Sequence, residues 1–355
     1  AIVLGKTAMP EYGWKATSDS PLTGLTRNPW DTRMTTGGSS AGAAASAVLG
    51  MGALQLGTDG GGSVRIPAAM CGKVGYKPTI GTIGRDGAAR WMGFSTSGAT
   101  NAVVADLVLE MTVLAGPTGS DINELPAHSI SFVPAAPARV VACRTLRADV
   151  DPAVAAAFDA TLAIIERDLG VAVTVVPRVF DRDDLPFQWF RISSAELAQS
   201  LAWCADRWDE LDPGLAALLR FGASVTAADY IEAQRLRYDT AATIESLLGD
   251  DGVLVTPTCN VTSWGPSGPL PSAAGAVTDD PMIAVNTVEL NFTGHPGVSV
   301  PMGLAPEGVP MGLQIAAPRF GDRLALGLAA GLEEAQPWAA TAPGYEPFTR
   351  SAFDV

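Results

Sequence analysis

Two glycine-rich turns near the start of the chain each carry serine: Gly37-Gly-Ser-Ser40 and Gly57-Thr-Asp-Gly-Gly-Gly-Ser63. A run of small, helix-compatible residues over about 39–51 accompanies the first turn. Ser39 and Ser40 therefore stand near a helix N-terminus, where hydroxyls cap free N–H groups. In the second turn a run of glycines lets successive backbone N–H groups converge on one spot, because no Cβ blocks the approach. Such a nest suits an anion. The anion is a bound phosphate or the oxyanion of a tetrahedral intermediate formed at a carbonyl. Ser63 follows the nest directly and sets a hydroxyl beside it. Taken singly, each turn is also an ordinary loop, and serine at a helix start is more often a cap than a catalyst.

Two other uses of glycine loops are excluded. Neither turn continues as Gly-Lys-Ser/Thr, so neither is a Walker loop. Gly57–Gly62 lacks both the dinucleotide-binding spacing and the acidic residue on a following strand. A serine nucleophile needs a base, and the familiar base is histidine. The chain has only two, His128 in Pro-Ala-His-Ser and His295 in Gly-His-Pro-Gly, both in loop or turn contexts. Scarce histidine beside a well-formed nest points instead to a lysine, held neutral by burial.

The elements that must position these turns follow from patterning. Ala1–Gly5 reads as a buried strand, and Ala53–Thr58 as a strand entering the second turn. Val103–Leu114 reads as an apolar helix. Arg139–Cys143, then a helix over about Asp151–Leu169, then Val171–Val176 give a βαβ-like alternation. The segment Phe187–Leu248 reads as helical, broken at Pro213-Gly214. Gly252–Pro257, Val298–Val300 and Gly312–Ala316 read as strands, Gly265–Asp280 as a loop, and Phe320–Glu334 as a closing helix. The fold class is α/β: a central mixed, twisted sheet covered on both faces by helices.

Composition narrows the partners. The 355 residues carry a net charge of −14, which repels phosphate backbones and argues against nucleic acid. Hydrophobic residues make up 47% and charged residues 17%, which fits a soluble protein with a sizeable core. Apolar runs are interrupted well short of a membrane span, and no leader with a cleavage site is present. Cys71, Cys143, Cys204 and Cys259 are widely spaced and form no metal or disulfide pattern. They read as reduced, buried residues of a cytoplasmic protein.

The motifs resemble a known family. Gly37-Gly-Ser-Ser-Ala-Gly42, Gly57–Ala68 and Cys71-Gly-Lys-Val-Gly-Tyr-Lys-Pro-Thr79 closely resemble the signature of the amidase signature family. Gly5–Glu11, Asn28–Asp31, Asp251–Thr258, Thr293–Pro301 and Gly308–Ile315 resemble its other blocks, so the likeness covers nearly the whole chain. The resemblance implies amide hydrolysis by a Ser–cis-Ser–Lys triad and no cofactor or metal. By motif, Ser63 resembles the acyl-forming nucleophile and Ser39 the bridging serine that follows a cis peptide bond. Gly60, Gly61, Gly62 and Ser63 resemble the backbone oxyanion hole. Ser40, Asp59 and Arg65 resemble supporting residues, Arg65 as a buried ion pair.

One member of the triad has no counterpart. In the family the lysine lies several tens of residues before the first serine turn, at the end of an early strand. Lys6 and Lys77 fall in other blocks, and Lys15 and Lys73 have no motif support. The expectation is a single amidase domain over 1–355 that is N-terminally incomplete, with residues of about 187–250 forming a variable, substrate-facing helical region. Trp189, Phe190, Trp203 and Trp208 in that region read more as core than as pocket. The substrate expected is a small-molecule amide, with a homodimer as the possible assembly. Two alternatives stay open: the glutaminase-type subunit of a tRNA-dependent amidotransferase, and an inactive amidase-like binding protein. The segment Ser193–Asp212 lacks the Tyr- and Arg-containing block associated with that subunit's glutamine site.

Overall fold

The structure is a computed structural model that describes residues 1–86, 91, 93–146, 149–270 and 284–346. A two-residue ladder, β1 (Asp19–Ser20) with β2 (Gly24–Leu25), precedes the main sheet. Eight further strands form that sheet: β3 (Leu56–Asp59), β4 (Val74–Lys77), β5 (Thr96–Asn101), β6 (Arg139–Ala142), β7 (Ala172–Val175), β8 (Gly252–Pro257), β9 (Gly297–Leu304) and β10 (Pro310–Ala316). Their order is β3-β5-β4-β9-β10-β8-β6-β7. The β6–β7 and β6–β8 pairs are parallel and the others antiparallel, so the sheet is mixed.

Helices cover both faces because side chains alternate along each strand. Leu313 and Ile315 of β10, Val253 and Val255 of β8, and Val140 of β6 share one apolar cluster with α3 (Val104–Leu114), α4 (Pro152–Arg167) and α9 (Asp322–Ala335). The intervening residues Val141, Leu254 and Ala316 face α5 (Leu185–Ser200), α7 (Ala227–Leu248) and α8 (Val288–Thr293). α1 (Ala41–Val48) and α2 (Arg65–Cys71) lie on this second side, α2 packing across β4, β9 and β10.

Local chemistry explains three of the helix starts. Asp151 caps α4 by accepting from Ala153 N–H at 2.8 Å, with Pro152 in the first turn. Asp212 caps α6 (Pro213–Ser224) in the same manner. Pro213 thus starts a helix rather than merely breaking one. α7 begins with a Thr226–Asp229 capping box, a start signal beyond the expected break.

Three expectations are corrected. Ala1–Gly5 is not a buried strand: among the described residues it pairs with no neighbour, and Ile2, Val3 and Leu4 are 85%, 88% and 76% exposed. An apolar run makes a strand only where a neighbour supplies ladder hydrogen bonds. The strand expected at Ala53–Thr58 is shifted to Leu56–Asp59, in register with β5. β4, β5, α2 and α8 fall outside the expected elements, because glycine and polar residues obscure their periodicity. Of the loop expected at Gly265–Asp280, residues 271–280 lie outside the described residues.

Candidate active site

The second serine turn joins the end of β3 to the start of α2, and Asp59 organises it from beneath. Asp59 and Arg65 are fully buried and form an ion pair at 2.8 Å. Asp59 Oδ2 also accepts from Arg65 Nε at 3.0 Å. The guanidinium donates onward to the Thr287 carbonyl (3.0 Å), Gln314 Oε1 (2.7 Å) and Asn291 Oδ1 (2.5 Å). Asn291 Nδ2 donates back to Asp59 Oδ1 at 2.8 Å. Burial pushes the Asp59 carboxyl up, but the charge and hydrogen bonds of Arg65, with help from Lys77 and Asn291, hold it down at about 2. The carboxylate is thus a fixed acceptor for the turn's own backbone. Gly62 N–H donates to Oδ1 at 2.8 Å and Val64 N–H to Oδ2 at 3.3 Å.

The three glycines have a reason that sequence alone does not reveal. A Cβ on Gly60 would stand 2.6 Å from the Trp91 ring, and one on Gly61 2.6 Å from the Trp189 ring. A Cβ on Gly62 would collide with Thr287 Oγ1, and its φ of +121° disfavours any other residue. Bulk packed around the turn, as much as room for an anion, demands glycine.

The first serine turn lies against the second. Ser40 N–H donates to the Ser63 carbonyl at 3.0 Å, and Ser40 Oγ to the Thr58 carbonyl at 3.4 Å. Ser40 stands at the N-cap position of α1, yet neither serine hydroxyl caps the helix. The Gly38–Ser39 peptide bond is cis. Residues 8–17 pack against this turn: Gly42 N–H donates to the Ala8 carbonyl at 2.9 Å, and a Cβ on Gly13 would lie 3.2 Å from Ser39 Oγ. Ser39 is buried and Ser63 half-buried. Among the described residues, neither hydroxyl takes part in a hydrogen bond, with each other or with another group.

The four lysines are accounted for elsewhere. Lys6 is exposed. Lys15 Nζ pairs with Asp19 at 2.7 Å and Asp212 at 2.8 Å. Lys73 Nζ donates to the carbonyls of Ala339 and Ala340 at 3.1 and 2.6 Å. Lys77 is fully buried, its Nζ donating to the Pro78 carbonyl at 2.8 Å. Burial, reinforced by the charge of Arg65, pulls Lys77 down to about 7 despite Asp59 and Asp322. His295 is buried, with Nδ1 2.7 Å from Thr293 Oγ1 and Nε2 3.2 Å from Glu245, and burial pulls its pKa down. His128 is exposed. The four cysteines are free and buried. Among the described residues, no group of His, Cys, Asp and Glu is arranged to hold a metal ion, and no helix is long and apolar enough to cross a membrane.

Sequence reasoning missed Asn291, Gln314 and Thr287, which reach the turn from more than two hundred residues away. The aromatic residues of the helical region separate by role. Trp189 packs over Gly61. Phe190 stacks on Phe221 at 5.2 Å between centroids. Trp208 is buried and donates to the Leu201 carbonyl, and Trp203 is 75% exposed.

Comparison with known proteins matches the chain to a family. The family model described as Amidase matches residues 1–326. An acylamidase from Rhodococcus erythropolis is 33% identical over 352 residues, which cover 96% of this chain and 74% of that protein. A glutamyl-tRNA(Gln) amidotransferase subunit from Nocardia farcinica is 32% identical, over 90% of this chain and 72% of its own length. The crystal structure of a bacterial aryl acylamidase of the amidase signature family superposes with a TM-score of 0.84 at 25% identity, over 95% of this chain and 73% of that one. The chain belongs to the amidase signature family.

Proposed function

We propose that this protein hydrolyses a small carboxylic amide through an acyl-enzyme on Ser63. Ser63 Oγ attacks the amide carbonyl while its proton passes through Ser39 to a neutral lysine amine. The carbonyl oxygen becomes an oxyanion held by backbone N–H groups of the second turn. The C–N bond then breaks, and the leaving amine takes the proton by the reverse path. Water attacks the Ser63 ester and releases the carboxylic acid. The lysine is proposed to lie outside residues 1–355, since each of the four lysines present is exposed or engaged away from both serines.

The observation that carries this reading is the Ser40 N–H to Ser63 carbonyl bond, at 3.0 Å. It seats the two serine turns side by side above a buried carboxylate that Arg65 holds ionised. Ser40 makes no side-chain cap on α1; its hydroxyl donates instead to the Thr58 carbonyl, tying the first turn to β3. Ser63→Ala is expected to lower turnover of an anilide or aliphatic amide on the order of 10⁴-fold or more. Near-normal hydrolysis by that variant would refute the assignment.

Similarity to the amidotransferase protein favours a second reading, a glutaminase that passes ammonia to a partner. Release of ammonia from free glutamine, with no cleavage of anilides, would select it.

A further inference from the structure

Five consecutive carbonyls run through the second turn, and each has its own donor. Asn291 Nδ2 donates to the Asp59 carbonyl (2.9 Å), Trp189 Nε1 to Gly60 (2.9 Å) and Thr287 Oγ1 to Gly61 (2.6 Å). Ile66 N–H donates to the Gly62 carbonyl (2.7 Å) and Ser40 N–H to that of Ser63 (3.0 Å). In a trans peptide the carbonyl and the next residue's N–H point in opposite directions. Anchoring a carbonyl therefore aims an N–H.

The consequences differ along the turn. Fixing the Gly61 and Ser63 carbonyls aims the N–H groups of Gly62 and Val64, and both end on Asp59. Fixing the Gly60 and Gly62 carbonyls aims the N–H groups of Gly61 and Ser63. Among the described residues nothing accepts from either of these two. The oxyanion site expected over Gly60–Ser63 thereby narrows: Gly62 is committed to Asp59, while Gly61 and Ser63 remain available, as does Gly60, whose N–H also meets no acceptor among the described residues.

The donors differ in origin. Ser40 and Ile66 belong to the two serine turns and their helices. Trp189 belongs to α5, 129 residues away in sequence, and reaches in with its indole ring lying over Gly61. It is buried, and Phe94 packs against its ring with centroids 6.3 Å apart, so the indole has one orientation to offer.

We propose that Trp189 and Thr287 are positioning residues for the oxyanion site, a reading that rests on the acyl-transfer function above. The indole N–H holds the Gly60 carbonyl outward and so keeps the Gly61 N–H turned toward the carbonyl oxygen of a bound amide. The Thr287 hydroxyl fixes the next peptide, whose N–H closes on Asp59. The helical region thus governs reactivity at Ser63 through Trp189. Loss of either donor slows the step that builds negative charge and leaves ground-state binding intact.

An alkyl fluorophosphonate tests this on the intact gene product without knowledge of the natural substrate. Ser63 Oγ bonds to phosphorus as the P–F bond breaks, fluoride leaves, and the serine proton passes to the base. Negative charge builds on the phosphoryl oxygen where the oxyanion would sit. Saturation kinetics separate KI from kinact, and peptide mapping locates the label. Trp189→Phe keeps a ring and removes the N–H; Thr287→Val removes the hydroxyl and Thr287→Ser keeps it. In Trp189→Phe and Thr287→Val, kinact is expected to fall roughly 10- to 100-fold with KI within about twofold. Thr287→Ser is expected to recover the wild-type kinact. An unchanged kinact in Trp189→Phe, or a loss confined to KI, overturns the positioning role while leaving Ser63 as nucleophile. Absence of labelling in the wild type, or a label that persists in Ser63→Ala, overturns the acyl-transfer reading and this proposal with it.

Discussion

Along β10, Leu313 and Ile315 face α3, α4 and α9, and Gln314 between them faces α2 and accepts from Arg65. The same strand thus serves two kinds of interior. One side is closed by aliphatic packing, whose free energy is non-directional and grows with the area removed from water. The other side carries a buried ion pair and four polar partners, Asn291, Gln314, Thr287 and Lys77, around a glycine turn. Buried charge is seldom a net source of stability, because desolvation offsets the attraction. What the polar face gains is direction: Asp59, Asn291 and Thr287 hydrogen-bond the backbone of the turn that holds Ser63.

The largest break in this comparison is Asp59→Asn. It leaves the Arg65 guanidinium buried without its countercharge and is expected to cost about 4 kcal/mol in denaturant unfolding. Hydrolysis is expected to fall further than the folded fraction does, because Gly62 and Val64 lose their anchor. The wild type should lose this contribution as pH falls. The Asp59 carboxyl lies near 2 when folded against an ordinary 3.8, so its stabilisation is full above 3.8 and fades between there and 2. Asp59→Asn should flatten that part of the acid-unfolding curve.

Leu313→Ala probes the other face and is expected to cost somewhat less, about 3 kcal/mol. Here the activity of each folded molecule should stay near that of the wild type. If Leu313→Ala lowered kcat as much as Asp59→Asn does, the contrast between the faces would collapse.

The effect most gradual in pH concerns Lys77. Its amine titrates near 7 when folded and near 10.5 when exposed. Between those values the unfolded chain binds more protons, so stability rises with pH, by at most about 1.4 kcal/mol per pH unit. Below pH 7 the penalty is constant. Lys77→Met should remove this slope, which thermal melts of both proteins across pH 7–10.5 would show.

Much of this site is legible in the sequence because it is local. Ser39, Ser40, Asp59, Gly60–Gly62, Ser63 and Arg65 occupy two short stretches, and the type of each residue hints at its use. The strands β6, β8 and β10 are legible from apolar runs, and α4 from its cap and period. What sequence conceals are contacts whose partners lie far along the chain. Nothing at position 189 distinguishes a core tryptophan from one that holds a carbonyl of the turn. Thr287, Asn291 and Gln314 look like ordinary polar residues until the sheet and α8 bring them together. The exposed Ile2-Val3-Leu4 run shows the opposite failure: strong strand composition with no partner among the described residues to complete the ladder.

The most direct measurement is the fate of Ser63 during turnover. An activated ester or anilide is mixed with the intact gene product, the reaction is quenched in acid within milliseconds to seconds, and the digest is read by mass spectrometry. The acyl group is expected on the peptide containing Ser63 and is expected to be absent from Ser63→Ala. Acyl transfer to any other residue, or hydrolysis that proceeds in Ser63→Ala at the wild-type rate, would contradict the assignment of Ser63 as nucleophile.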